Sequence, residues 1–196
     1  MLFHEPFGGV IPGARGAVLA ALLRTDARLT GRQVHAIVND RCSLWTVQEN
    51  LKALTRLGLI RTQTVGRAGV HTVNEEHVAV APLRSLLDPI AALTDTVRTS
   101  VGDQVEAVIL FGSTARGEAD SRSDVDLAVI APAGWDGRTD LEDVVRARLG
   151  NKCDVLAFTH DDFTRLAAAD EPVVRDILAD GVALIGTIPR DQSAMA

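Results

Sequence analysis

The feature that most constrains this chain is a change of apolar period near residue 105. Upstream, apolar residues recur at helical spacing. Downstream, short continuous apolar runs are bounded by loops. VEAVILF at 105–111, DVDLAVI at 124–130 and CDVLAFT at 153–159 read as buried strands, and VALIG at 182–186 as a fourth, short one. Residues 139–149, 160–169 and 172–180 read as helices, the last closed by Gly181. Strands alternating with helices predict an α/β half.

Charge follows the same division. Residues 1–83 carry 9 Lys and Arg against 6 Asp and Glu, a net of +3; residues 84–196 carry 11 against 20, a net of −9. A mildly basic half joined to a strongly acidic one predicts two domains with different partners. The 196 residues are enough for two small domains, each burying a core. With no tyrosine and 4% aromatic residues, those cores must be built from Leu, Val, Ile and Ala. No apolar run approaches the ~18 residues of a membrane span. The start, MLFHEPFGGV, lacks the basic and long apolar regions of a signal peptide. Cys42 and Cys153 form no CxxC pattern. These features predict a reduced, cytoplasmic protein with no membrane partner.

In the first half, Val18, Leu19, Leu22 and Leu23 line one face of a helix over 14–25. Thr30 and Gln33 form a capping box for a second, short helix that stops at Asn39-Asp40. Ser43 caps a third, with Leu44, Val47, Leu51 and Leu54 inward and Gly58 at its end. LIRTQTV and VHTV, joined by Gly66-Arg67-Ala68-Gly69, read as a hairpin. This order predicts an N-terminal α+β winged helix-turn-helix over 1–81. Thr46, Gln48 and Lys52 would face outward from the third helix and Arg67 from the wing, where they can contact bases or phosphates of DNA. Glu49 opposes that reading, and protein contact or dimerisation is the competing use. Residues 74–101 read as helix interrupted at Pro82 and Pro89, with 82–101 a linker helix. Its stripe of Leu83, Leu86, Leu87, Ile90 and Leu93 is read as helix packing or, alternatively, as the seam of a homodimer.

The chemistry concentrates in two stretches. Leu110-Phe111-Gly112-Ser113 ends a strand and turns into a helix, with Arg116 close behind. A glycine there admits close approach of a ligand, and Ser113 adds a hydroxyl donor, as a phosphate cradle requires. Read from the residues alone, Arg116 is a surface arginine paired with Glu118 or Asp120. Asp124 and Asp126 stand two apart on an apolar strand and so face one spot. Two such carboxylates repel unless a cation lies between them, and oxygen ligands select Mg²⁺ or Mn²⁺. Asp154 is a third acid on another apolar strand. Asp161 and Asp162 read instead as first-turn helix acids, and the five histidines show no metal-ligand spacing.

GSTARGEADSRSDVDLAVI closely resembles the signature of the polymerase-β-like nucleotidyltransferase superfamily, in particular its small prokaryotic members. The resemblance extends over 101–187 and implies a nucleotidyltransferase fold, a mixed sheet flanked by helices, with the domain over 102–188 and a flexible tail at 189–196. It implies that Gly112 and Ser113 hold the β- and γ-phosphates of a nucleoside triphosphate, that Arg116 neutralises phosphate charge, and that Asp124, Asp126 and Asp154 bind Mg²⁺ and act in catalysis. The first half is similar to winged-helix domains fused to such modules. Larger members add a helical domain that grips base and acceptor; here the resemblance leaves that role to another surface, a second subunit or a partner protein.

Two functions follow as expectations. One is a metal-dependent enzyme moving a nucleoside monophosphate to a hydroxyl of RNA, protein or a small molecule. The other is a DNA-binding regulator or toxin–antitoxin component whose acidic module binds nucleotide or a partner without catalysis.

Overall fold

A computed structural model describes residues 1–103, 105–120 and 122–189; the predicted tail lies, from 190 on, outside the described residues. The chain divides into two compact units, one of Glu5–Pro89 and one of Met1–His4 with the chain from Ile90 onward.

In the first unit a short 3₁₀ turn, Pro6–Gly9, precedes α1 (Gly13–Leu23), β1 (Leu29–Thr30), α2 (Gly31–Val38), α3 (Leu44–Arg56), β2 (Ile60–Val65), β3 (Ala68–Val73) and α4 (Val80–Ser85). The predicted caps are in place. Thr30 accepts from the Gln33 amide while the Gln33 side chain accepts from the Thr30 amide, and Ser43 accepts from the Thr46 amide. Val18, Leu22, Val34, Val47, Leu51 and Leu54 are buried together with Ile60 from β2. The three strands form an antiparallel sheet in the order β1-β3-β2. The hairpin is tighter than expected. Val65 already pairs with Ala68, so Gly66 and Arg67 alone make the turn.

His71 on β3 is buried and starts a hydroxyl relay. Thr55 donates to the Leu51 carbonyl, Thr62 lies 2.9 Å from Thr55, and His71 Nδ1 lies 2.9 Å from Thr62. Because Thr55 has only one hydroxyl proton, Thr62 must donate to it, which leaves His71 Nδ1 as donor to Thr62. Burial holds the His71 pKa below the usual histidine value. Its stabilising contribution is therefore complete above the unfolded-state value of about 6.5 and is lost as pH falls below it. Thermal melts should show a lower transition for this unit at pH 5.5 than at pH 7.5. His71→Asn should shrink that difference.

The second unit contains α5 (Pro89–Val101), β4 (Ala107–Phe111), α6 (Gly112–Ala115), β5 (Val125–Ile130), α7 (Arg138–Leu149), β6 (Cys153–Phe158), α8 (His160–Ala168), α9 (Pro172–Asp180) and β7 (Val182–Ile185). Its mixed sheet runs β6-β5-β4-β7, with β5 and β6 parallel and the other pairs antiparallel. The two faces of the sheet have separate apolar layers. Val108, Leu110, Leu127 and Val129 pack with α5 and α7 residues such as Leu93, Val97, Leu141 and Val145. Ile109, Ala128 and Ile130 pack with Phe163 from α8 and Val174 and Ile177 from α9. This is the expected α/β layout.

The segment read as a linker behaves differently. Leu93 and Val97 are fully buried in the second unit's core, so α5 belongs to that unit, while Leu83 and Leu87 pack on the core of the first. Four of the five stripe residues are thus packed within the two units, while Leu86 stays exposed. The first four residues also depart from the predicted boundaries. Phe3 joins the second unit's core, and the Met1 ammonium donates to the Leu149 carbonyl and to Asn151 Oδ1 at 2.6 Å.

Candidate active site

Strand register assembles the acids. Asp126 on β5 pairs with Asp154 on the parallel strand β6, one step after Val125 pairs with Cys153. Asp124 and Lys152 immediately precede that pair. Alternation along two parallel strands therefore sets Asp124, Asp126, Lys152 and Asp154 on one face. The backbone is pinned at this end by the Val125 amide, which donates to the Lys152 carbonyl at 2.8 Å.

Lys152 supplies the positive charge that the acids require. Its ammonium donates to Asp154 Oδ2 at 2.8 Å and to Asp124 Oδ2 at 3.2 Å. Those bonds raise its own pKa above the usual lysine value. Asp126 receives no such bond from it. Burial first, then the charges of Asp154 and Asp124, push the Asp126 carboxyl above the ordinary carboxylate range.

The donor chemistry fits a hard divalent cation, because every acid offers oxygen and two neighbouring strands present them together. As they stand, no group of three His, Cys, Asp or Glu among the described residues is gathered tightly enough to hold a metal ion.

β4 delivers the other wall. Phe111 pairs with Asp126, so Gly112 follows directly beside that carboxylate. Gly112 has φ +71°, and a Cβ there would lie 2.4 Å from Asp126 Oδ2. Both the backbone conformation and the close approach demand glycine. α6 then begins, its buried Thr114 donating to the Asp124 carbonyl at 3.2 Å. Ser113 is half-buried beside Gly112, and its carbonyl accepts from the Glu118 amide. Arg116 pairs with Glu118 at 2.8 Å and lies 3.9 Å from Asp180. Of its two expected roles, the pairing is the one present in the structure. It nonetheless lies near enough to Asp126 to lower that acid's pKa against the stronger upward influences. Asp161 and Asp162 sit in the first turn of α8, where Thr159 caps the Asp162 amide.

The residues singled out for DNA are only partly gathered. A groove of about 1130 Å³ in the first unit is lined by Gln48 and Lys52 from α3 and by Arg67 from the hairpin. Arg32 and Arg56, which sequence reasoning did not choose, line it too. Their signal was positional: Arg56 follows Lys52 by four and Arg32 is the second residue of α2. Thr46 lies outside that lining and shares a 2.9 Å hydroxyl hydrogen bond with Ser43 at the start of α3. Lys52 is paired with Glu49 at 2.8 Å, and Arg61 on β2 is held by Glu76.

The mixed sheet flanked by helices fits a nucleotidyltransferase fold. Comparison with protein families agrees, since residues 95–187 match the family described as polymerase beta, nucleotidyltransferase. That stretch is a little under half of the chain. Comparison with curated proteins finds no match. Among solved structures, the chain is similar to a toxin–antitoxin protein crystallised with AMP-PNP, at 23% identity and a TM-score of 0.40 over 50% of this chain and 74% of the other. It is also similar to a chain in the complex of tri-AMPylated Shewanella oneidensis HEPN toxin with MNT antitoxin, at 21% identity and a TM-score of 0.35 over 50% and 70%. A third is the MntA–HepT toxin–antitoxin, at 20% identity and a TM-score of 0.34 over 50% and 71%. No helix among the described residues is long and apolar enough to cross a membrane.

Proposed function

We propose that the second unit transfers a nucleoside monophosphate from a nucleoside triphosphate to a hydroxyl acceptor in a reaction dependent on Mg²⁺ or Mn²⁺. The observation that carries this reading is the register of β5 and β6, which brings Asp124, Asp126 and Asp154 to one face beside Gly112. Those three acids would hold the divalent ions. When bound, the ions neutralise phosphate charge and stabilise the attacking and leaving oxygens. Gly112 lets the triphosphate approach the backbone, and the Ser113 hydroxyl donates to a phosphate oxygen. Asp154 accepts the acceptor's proton as its oxygen attacks the α-phosphorus and the bond to pyrophosphate breaks. Arg116 must leave Glu118 to take part, and its half-exposed ion pair is weak enough to exchange.

The experiment supplies each of the four α-labelled triphosphates with Mg²⁺, cell RNA and cell protein. Label should move to one macromolecular fraction, and should stay on the nucleotide with the Asp124→Ala, Asp126→Ala double variant. Absence of transfer with every nucleotide and acceptor would favour a module that binds nucleotide or a partner without catalysis.

For the first unit, the order of helices and hairpin and the basic groove support a winged helix-turn-helix that binds DNA. Arg32, Lys52, Arg56 and Arg67 face Glu49 there, an excess of positive charge in one groove. Affinity for DNA should fall steeply with salt, and Lys52→Ala or Arg67→Ala should each lower the slope of log K against log salt by about 1. A slope that neither substitution changes would remove this groove from the interface.

A further inference from the structure

We propose that Lys152 is a built-in counter-ion which competes with the divalent cation for the acids of the nucleotidyl-transfer site, so that the chain must release its own ammonium to load metal. The proposal rests on the metal reading above and adds a residue to it. Two facts carry it. Lys152 stands two before Asp154 and directly precedes the residue paired with Val125, so the strand aims its side chain at the same face as all three acids. Its ammonium then bridges Asp124 and Asp154, occupying one oxygen on each of two of the three acids, and makes no ion pair with Asp126. A single positive charge offsets part of the repulsion in the metal-free protein; a divalent ion offsets more and needs the same oxygens. The contacts are half-exposed, so exchange is easy, and Lys152 sets a threshold for metal loading without blocking it.

The test is Mn²⁺ binding, followed by electron paramagnetic resonance of the free ion, and Mn²⁺-induced change in melting temperature on the full chain. Lys152→Met should bind Mn²⁺ about three- to tenfold more tightly than the unsubstituted chain, the size expected for losing two exposed ion pairs. It should also melt lower without metal and gain more from adding it. Lys152→Arg keeps the charge and should bind Mn²⁺ nearly as the unsubstituted chain does. Equal or weaker binding by Lys152→Met, or binding by Lys152→Arg as tight as by Lys152→Met, overturns the competition. Asp126→Asn serves as the reference for the site. If neither the unsubstituted chain nor Lys152→Met binds Mn²⁺ in a manner that Asp126→Asn abolishes, the metal reading itself falls and this proposal falls with it.

Discussion

Replacing Asp126 with Asn will sharply reduce the proposed nucleotidyl transfer yet raise the melting temperature of the metal-free protein at neutral pH. The loss should be on the order of 10³-fold, the scale seen when a principal electrostatic group of a site is removed. The gain follows from the sign of the Asp126 pKa. Burial and the charges of Asp154 and Asp124 hold it above its unfolded value, so the folded state disfavours the ionised form. Stability associated with this group is complete below the ordinary carboxylate value of about 3.9 and is lost as pH rises through the raised one. At pH 7, above the ordinary carboxylate value, the folded state carries that penalty, and an uncharged amide of the same shape relieves it. The difference in melting temperature between the two proteins should therefore shrink as pH is lowered toward 4. Metal should stabilise the natural chain and leave Asp126→Asn unchanged. A variant that melts lower at pH 7 while losing activity would assign Asp126 a packing role.

Such a residue, costly to the fold and proposed to serve the chemistry, can be singled out in the sequence because side-chain alternation is a local rule. DVDLAVI places two acids on one face whatever surrounds the strand. Alternation also gave Lys152 the same face as Asp154, two residues on, but a lysine at a strand end reads as surface until the neighbouring strand is known. The parallel register of β5 and β6, which sets Lys152 beside Asp124, is a long-range fact. The same limit accounts for the other differences. β1 has only two residues and exists because β3 offers it an edge. Residues 1–4 join the second unit through Phe3 and Met1, across nearly 150 residues of sequence, and carry no periodicity to announce it. α5 and α4 share one apolar stripe in sequence, yet the two parts are buried in different cores. Arg116 had two readings because a flexible cation beside both a phosphate cradle and Glu118 can serve either, and in the structure it pairs with the acid.

Gly112 offers the second large effect, and it separates geometry from backbone strain. Gly112→Ala should cost stability and reduce transfer by roughly 10²-fold or more, because displacing a reacting group by about 1 Å is enough for such a loss. The new methyl group would start 2.4 Å from Asp126 Oδ2, so the carboxylate must rotate away or β4 and β5 must part. Since Phe111 and Asp126 are paired in the ladder, the side chain is the softer of the two. Gly117 is the matched comparison. It has φ +73°, close to the +71° of Gly112, but nothing stands within 4 Å of a Cβ built there. Both alanine variants pay the left-handed backbone penalty of about 1–2 kcal/mol. Only the one at 112 intrudes on the acid. Melting temperature should therefore fall in both, whereas transfer and Mn²⁺ affinity should fall in Gly112→Ala alone. If Gly117→Ala loses transfer equally, the loop's conformation controls the reaction. If Gly112→Ala keeps its activity, Asp126 does not work from the position that the β4–β5 register gives it.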